Sequence, residues 1–230
     1  MHFLYSETTV LNDAILLDGE EAQHALVLRL KKDEKISILN GKGKVYLGTG
    51  EQLRKKSFLV QIESVTETLS SPFNLHIAIA PTKQIDRFEW FLEKATELGV
   101  QTITPLLCDH GERERLNLDR LKKILIASIK QSGRPWLPVL NDPKTFDEFL
   151  NENKSETTYL AHAEGKLLQH QNPLMKTSIC VCIGPEGDFS DRELILADQL
   201  GASRISFGPY RLRTETAGLL AVAYFAQWNT

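Results

Sequence analysis

From Asn74 onward, short runs that are apolar at nearly every position alternate with segments whose apolar residues recur every three or four positions. Strands covered on both faces read as continuous apolar runs, and helices with one buried stripe read with the longer period. That alternation demands an α/β domain with a mainly parallel sheet. Strands are predicted over 74–80, 100–107, 137–140, 157–163, 178–183 and 204–207. Helices are predicted over 84–98, 118–131, 146–151, 190–200 and 214–228. Gly99 and Gly133 stand just past two of these helices, where a left-handed residue ends a helix. Ser190 and Glu193 have the spacing of a capping box at the start of another.

The first 70 residues have a different rhythm. Residues 35–39 alternate and stop at Asn40-Gly41, a turn signal, and 44–47 and 58–65 read the same way. Only 20–30 looks helical, so this part is expected to form a small barrel-like β module. Ser70-Ser71-Pro72 marks a linker, which places the domains at 1–70 and 73–230. There is no internal repeat and no low-complexity segment.

Composition narrows the class. With 42% apolar and 25% charged residues, the chain is neither disordered nor fibrous, and 230 residues can bury a core without disulfides or metal. The start, Met1 to Glu7, lacks a basic region and a long apolar run, so no signal peptide is expected. No apolar stretch reaches the ~20 residues of a spanning helix, so no membrane association is expected. Three cysteines, Cys108, Cys180 and Cys182, fit reduced thiols and a cytoplasmic address. Cys180 and Cys182 should share one strand face, and no partner at ligand spacing argues for a metal. Net charge is −3, but residues 111–136 hold seven Lys/Arg against three acids. That cluster is either a nucleic-acid patch or a solvated helix face.

Two glycine-proline loops carry the chemical signal. Ile183-Gly184-Pro185-Glu186-Gly187-Asp188-Phe189-Ser190 follows a buried strand and precedes a capped helix. Phe207-Gly208-Pro209-Tyr210-Arg211-Leu212-Arg213-Thr214 does the same. Ligands of open parallel sheets bind beyond the carboxyl ends of the strands, so the two loops can form one pocket. Neither loop has the dinucleotide glycine spacing or a Gly-Lys-Ser/Thr. Glu186 and Asp188 would repel phosphate and suit a positively charged ligand such as a sulfonium. The alternative is that both loops are simply tight turns. The last helix, with Thr214 as cap and Glu215 in its first turn, is apolar all round over 217–226. Such a helix is buried on every side, either within one chain or partly by a second subunit.

These residues resemble the SPOUT methyltransferases, and among them the family that methylates N3 of a uridine in the decoding region of 16S rRNA. Residues 93–100 (EKATELGV) are similar to the family's first-helix signature, and Gln131-Ser132-Gly133-Arg134 to its glutamine-serine-arginine segment. The Gly184 to Ser190 loop and Leu212-Arg213-Thr214-Glu215-Thr216-Ala217 are similar to its two cofactor loops. His24 followed by Val27-Leu28-Arg29-Leu30 resembles the start of its PUA-like RNA-binding domain. Departures are Asp188 where the family usually has glycine, Tyr210 and Arg211 where arginine and an aliphatic residue are common, and Ser128-Ile129-Lys130.

The resemblance implies a C-terminal SPOUT α/β domain with a trefoil knot and an N-terminal PUA-like β-barrel. It also implies bound S-adenosylmethionine, a homodimer and 16S rRNA in the small ribosomal subunit as partner. The cofactor residues it implies are Ala161, His162, Ile183, Gly184, Pro185, Glu186, Gly187, Phe207, Gly208, Leu212, Arg213, Thr214 and Ala217. For catalysis it points to Arg213, then Arg211, as guanidinium groups beside the uracil oxygens, with Glu186 as base or cofactor contact. Arg213 could instead pair with Glu215 or hold its loop, and Glu186 could be a structural turn carboxylate. RNA contacts carry over to His24, Arg29, Lys83, Arg87 and Arg134, each with a packing or solvation role as its plain alternative. Two rival functions remain: methylation of another RNA target such as a ribose 2′-hydroxyl, and ribosome-assembly RNA binding without catalysis.

Overall fold

The structure, a computed structural model, describes residues 2–8, 10, 12–28, 34–54, 57–112, 115–168 and 177–226. In chain order the first elements are β1 (His2–Tyr5), β2 (Ala14–Asp18), α1 (Gly19–Val27), β3 (Lys35–Leu39), β4 (Lys44–Arg54) and β5 (Ser57–Glu67). Then come β6 (Asn74–Ile79), α2 (Ile85–Leu98), β7 (Thr102–Leu107), α3 (Leu118–Ser132), β8 (Val139–Leu140), β9 (Lys144–Thr145) and α4 (Phe146–Glu152). The chain finishes with β10 (Thr157–Leu167), β11 (Ser178–Ile183), α5 (Asp191–Gln199), β12 (Ser203–Ser206) and α6 (Thr214–Ala226). It divides into two compact units, Met1–Ser70 with Ile126–Leu137, and Ser71–Leu125 with Pro138–Thr230.

The first unit is a five-stranded sheet in the order β1-β3-β4-β5-β2, antiparallel except for the β1–β3 pair. Leu4, Ile15, Leu17, Ile36, Ile38, Phe58 and Val60 fill its interior, and α1 adds Ala22 and Ala25. β1 and β2 are four and five residues long, too short to show an alternation, and were not singled out in the sequence. The second half of α3 belongs to this unit. Ile129 packs with Tyr5 and Leu39, and the Trp136 indole donates to the Thr68 carbonyl at 3.2 Å. α3 ends at Gly133, with φ of 71°.

The second unit holds strands in the order β12-β10-β11-β6-β7-β8, with β9 pairing further along β7, and every pair is parallel. The apolar β6, β7 and β11 lie where the continuous runs placed them. α2 buries Phe88, Phe91, Leu92, Ala95 and Thr96, one stripe at helical spacing, and Gly99 closes it at φ of 94°. The expected capping box at α5 is formed, with Ser190 and Glu193 satisfying each other's backbone N–H groups. β10 runs past Ala163 to Leu167, with a register shift between Ala161 and Lys166.

The chain returns from edge strand β12 to lay α6 against α2, β6 and β11, a path consistent with the knotted topology the resemblance implies. α6 is not covered on every side within one chain: Leu220 is 41% exposed, while Gly218, Ala221, Val222 and Phe225 are buried. Cys180 and Cys182 share one face of β11 and pack with Cys108 as free, buried thiols. Among the described residues no three His, Cys, Asp or Glu side chains converge as a metal site, and no helix is long and apolar enough to cross a membrane.

His76 on β6 gives the fold a pH dependence. Burial, helped by the Lys144 charge, pushes it down to about 4, and its ring nitrogen lies 2.7 Å from the Thr104 hydroxyl. Between about pH 4 and 6.5 the unfolded chain binds a proton that the folded chain refuses, so stability falls as pH falls, by at most about 3 kcal/mol. His76→Gln is expected to flatten that part of the profile, as measured by urea unfolding at about pH 4.5 and 7.

Candidate functional site

The register of the parallel sheet sets the site. Ala161 on β10 is the partner of both Ile183 on β11 and Ile205 on β12. The two glycine-proline loops therefore leave the sheet at one level, on either side of β10. They are joined directly: the Thr214 hydroxyl donates to the Gly184 carbonyl at 3.0 Å. Residues 161–163, 183–186, 188, 205–208, 210–214 and 217 together wall a single cleft at the carboxyl ends of the strands.

Every cofactor residue anticipated from the resemblance lines this cleft except Gly187, which sits beside His110 instead. Ala163, Ile205, Ser206 and Tyr210 also line the cleft without having been singled out in the sequence, and so do Asp188, expected there only as a carboxylate for a cationic ligand, and Arg211, expected only as a catalytic group. Their signal is positional, since each lies within two residues of one that was named. Gly208 has φ of 140°, a conformation an L side chain rarely adopts, although a Cβ there would meet nothing. Backbone conformation, not space, is what requires glycine at this turn.

The 184–190 loop is fastened to the end of β7. Nδ1 of His110 donates toward the carbonyls of Gly187 and Asp188 at 3.2 and 3.1 Å. The buried Glu193 carboxylate accepts from the backbone N–H groups of Asp109 and Ser190 at 3.0 and 2.8 Å. Arg192 bridges Asp109 and Asp147 at 2.9 and 2.6 Å, and with the Ser190 hydroxyl it holds the Asp109 carboxyl below its usual range.

Asp188 occupies the position where the resembling family carries glycine, and its φ is 65°. Its N–H donates to the Pro185 carbonyl at 3.0 Å, and its own Oδ1 accepts the Phe189 N–H at 2.9 Å. Aspartate tolerates the left-handed region through such local bonds. Asp188→Gly is therefore expected to fold with unchanged stability within about 1 kcal/mol, whereas Asp188→Val should lose about 1–2 kcal/mol or more. Thermal melts of the two variants check this. The carboxylate also lies 3.7 Å from Nε2 of His162 across the cleft.

The cleft suits an adenosyl sulfonium. Ala161, Ile183, Ile205, Leu212 and Ala217 offer apolar walls, and Glu186 and Asp188 place carboxylates where a cationic ligand would sit. Glu186 has a second task, accepting the Lys83 backbone N–H at 3.1 Å, which favours the turn-carboxylate role over that of a base. Beside the cleft lies a second chamber, lined by Asp86, Arg87, Trp90, Arg211, Leu212, Arg213, Glu215 and Thr216. Arg211, Leu212 and Arg213 line both. Among the described residues the Arg211 and Arg213 guanidinium groups have no hydrogen bond or ion pair. Glu215 faces Arg87 Nε at 4.0 Å, so it does not pair with Arg213.

The anticipated RNA contacts are dispersed over the two units. Arg87 is part of the chamber, and Lys83, exposed, pairs with Glu112 at 2.7 Å. In the other unit His24 lies beside Lys130, which pairs with Glu21, and Arg134 is half-buried, which lowers its pKa. Arg29 lies outside the described residues. The 111–136 cations do not form a free stripe, since Arg120 pairs with Glu89 and Lys130 with Glu21. A further cavity, at the amino ends of the strands around His76, Thr104 and Asn141, has no glycine-rich loop beside it.

Comparison with known proteins gives matches along most of the chain. The RNA methyltransferase domain family matches residues 69–226, and the RNA methyltransferase PUA domain matches residues 17–63. Ribosomal RNA small subunit methyltransferase E of Aquifex aeolicus is 31% identical over 94% of this chain and 95% of that protein. The protein of the same name from Rickettsia conorii is 30% identical over 92% and 89%. Among solved structures, ribosomal RNA small subunit methyltransferase E from Neisseria gonorrhoeae, bound to S-adenosyl methionine, superposes with a TM-score of 0.89. It is 27% identical, over 99% of this chain and 97% of that one.

Proposed function

The chain belongs to the RNA methyltransferase family, and from that membership we propose that it transfers the methyl group of S-adenosylmethionine to N3 of a uridine in 16S rRNA of the small ribosomal subunit. The observation that carries this reading is the hydrogen bond from Thr214 to Gly184, which makes one cleft of two loops far apart in sequence. S-adenosylmethionine, when bound, supplies an electrophilic methyl group on a sulfonium. The residues that would hold it are the 184–188 backbone, the 207–214 loop and the end of β10.

The protein's own contribution is position and charge. Neutral N3 is a poor nucleophile, and loss of its proton puts negative charge on the uracil oxygens. Arg213 stands between cleft and chamber with an unengaged guanidinium, suited to donate to one of those oxygens, and Arg211 is next in line. A preorganised donor of this kind contributes about 3–4 kcal/mol to a transition state that develops charge. Holding base and donor in line can contribute ~7–11 kcal/mol more.

The same reading makes the β unit, with His24, Arg29 and Arg134, the RNA-anchoring part, aided by Lys83 and Arg87 of the other unit. It also makes the enzyme a cytoplasmic homodimer. Support for the dimer comes from α6, which is apolar on all sides yet leaves Leu220 exposed, and from Leu98 of the neighbouring α2, 39% exposed.

The test is methylation of small subunits from a strain lacking the enzyme, using labelled cofactor and mapping of the modified nucleoside. The expected product is 3-methyluridine at one position. A 2′-O-methyl nucleoside would overturn the N3 assignment, and absence of both transfer and S-adenosylmethionine binding would overturn the enzyme reading.

A further inference from the structure

We propose that Glu215 is the group that takes the N3 proton of the uridine, in the chamber it shares with Arg87, Trp90, Arg211 and Arg213. The proposal rests on the uridine N3 reading above and deepens it. Glu215 is only 7% exposed, and among the described residues its Oε2 is a buried acceptor without a hydrogen-bond partner. Buried acceptors are normally satisfied, so an orphaned carboxylate on a residue that lines the chamber points to a donor brought by the ligand, met by rotation of the side chain toward the chamber. Its other oxygen is not hydrogen-bonded to Arg87 either, since Nε lies 4.0 Å away.

The chamber's chemistry matches one edge of one base. Uracil presents acceptor, donor, acceptor at O2, N3–H and O4. Its complement is donor, acceptor, donor, which is what a carboxylate flanked by guanidinium groups offers. Glu215 is the acceptor, with Arg87 on α2 and Arg213 and Arg211 on the 207–214 loop as donors. Trp90, 44% exposed, supplies an aromatic face on which the base can lie. The charged groups lining the chamber around Glu215 are Asp86 and Arg87 from α2, and Arg211 and Arg213 from the loop.

The step balances. The N3–H bond breaks, the proton goes to the Glu215 carboxylate, and the electron pair stays on N3, spread onto O2 and O4. That pair then forms the N3–carbon bond while the carbon–sulfur bond breaks toward sulfur, leaving S-adenosylhomocysteine. Proton and methyl carbon approach N3 along the same in-plane direction. Deprotonation therefore belongs to the pose in which uracil first meets the chamber, before alignment with the neighbouring cleft. The glutamic acid returns its proton to water when product leaves.

The test compares wild type with Glu215→Gln on small subunits lacking the modification. Glutamine keeps the size and an acceptor oxygen but cannot take the proton. Expected are a kcat at least about 100-fold lower near pH 7, KM within about threefold, and a variant rate that climbs roughly tenfold per pH unit toward pH 9 while wild type stays flat. Calorimetry should give wild-type affinity for S-adenosylmethionine. Wild-type kcat in the variant overturns the proposal, and so does a lowered rate with an unchanged pH profile, which marks a merely structural carboxylate. If Glu215→Gln does not fold, Glu215→Asp decides: a flat profile supports the assignment and a rising one overturns it. Wild type assayed alongside separates the two readings. If it makes no 3-methyluridine, the function itself fails; if it does and the variant matches it, only Glu215 is removed from the mechanism.

Discussion

Replacing Arg213 with alanine is expected to abolish methyl transfer, a loss of at least about 100-fold in kcat, while S-adenosylmethionine affinity stays within about tenfold. The reason is the residue's place at the junction of cleft and chamber. Its side chain is exposed and makes no hydrogen bond or ion pair among the described residues, so no described contact is lost with it. Its backbone carbonyl accepts the Ala217 N–H at 2.9 Å in the first turn of α6, and alanine preserves that bond. The cofactor wall therefore survives the change and the charge beside the uracil does not. Lysine at this position keeps a cation but not the planar fork, and should recover only part of the rate. Single-turnover methylation together with calorimetry separates binding from chemistry. Wild-type turnover in the alanine variant would take Arg213 out of the mechanism.

The largest structural effect is expected at Gly165. A Cβ built there would lie 2.4 to 2.6 Å from backbone atoms of Ile205 on β12. Backbone of a paired strand cannot give way as a side-chain tip does. Gly165→Val should force β10 and β12 apart just where the register shift between Ala161 and Lys166 opens the cleft. Overpacking of this kind costs about 1–3 kcal/mol or more. Because β12 carries the loop through Phe207 and Gly208, cofactor affinity should fall more than about tenfold, an extra loss of ~1.4 kcal/mol. Thermal unfolding reads the first effect and calorimetry the second. A variant that melts and binds like wild type would mean that β12 tolerates the displacement.

Several elements were legible because their causes are local. The α2 stripe, its stop at Gly99 and the α5 capping box depend on residues within a few positions of one another. The continuous apolar runs of β6, β7 and β11 could be read because covering both faces of a sheet leaves no polar alternation. Other elements were hidden. β8 and β9 are two residues each, below any periodicity, and exist because β7 offers a free edge. β10 outran its predicted end because pairing with β12 resumes after a bulge that no local residue pattern announces. Nor does any composition change at Ile126 tell that the second half of α3 packs with Tyr5 and Leu39.

The site divides in the same way. By itself the sequence determined the chemistry on offer: two loops free to turn at glycine, carboxylates suited to a cationic ligand, and arginines two and four residues before Glu215. Only the tertiary structure decided who meets whom. Glu215 faces Arg87, 128 positions away along the chain, and not the neighbouring Arg213, which stays available for a substrate. The two loops share a wall because Ala161 pairs with both Ile183 and Ile205. Backbone sterics and short-range hydrogen bonds act within a few residues and so leave their mark on local sequence. Strand order and register come from packing many distant residues at once, and no single segment carries that information.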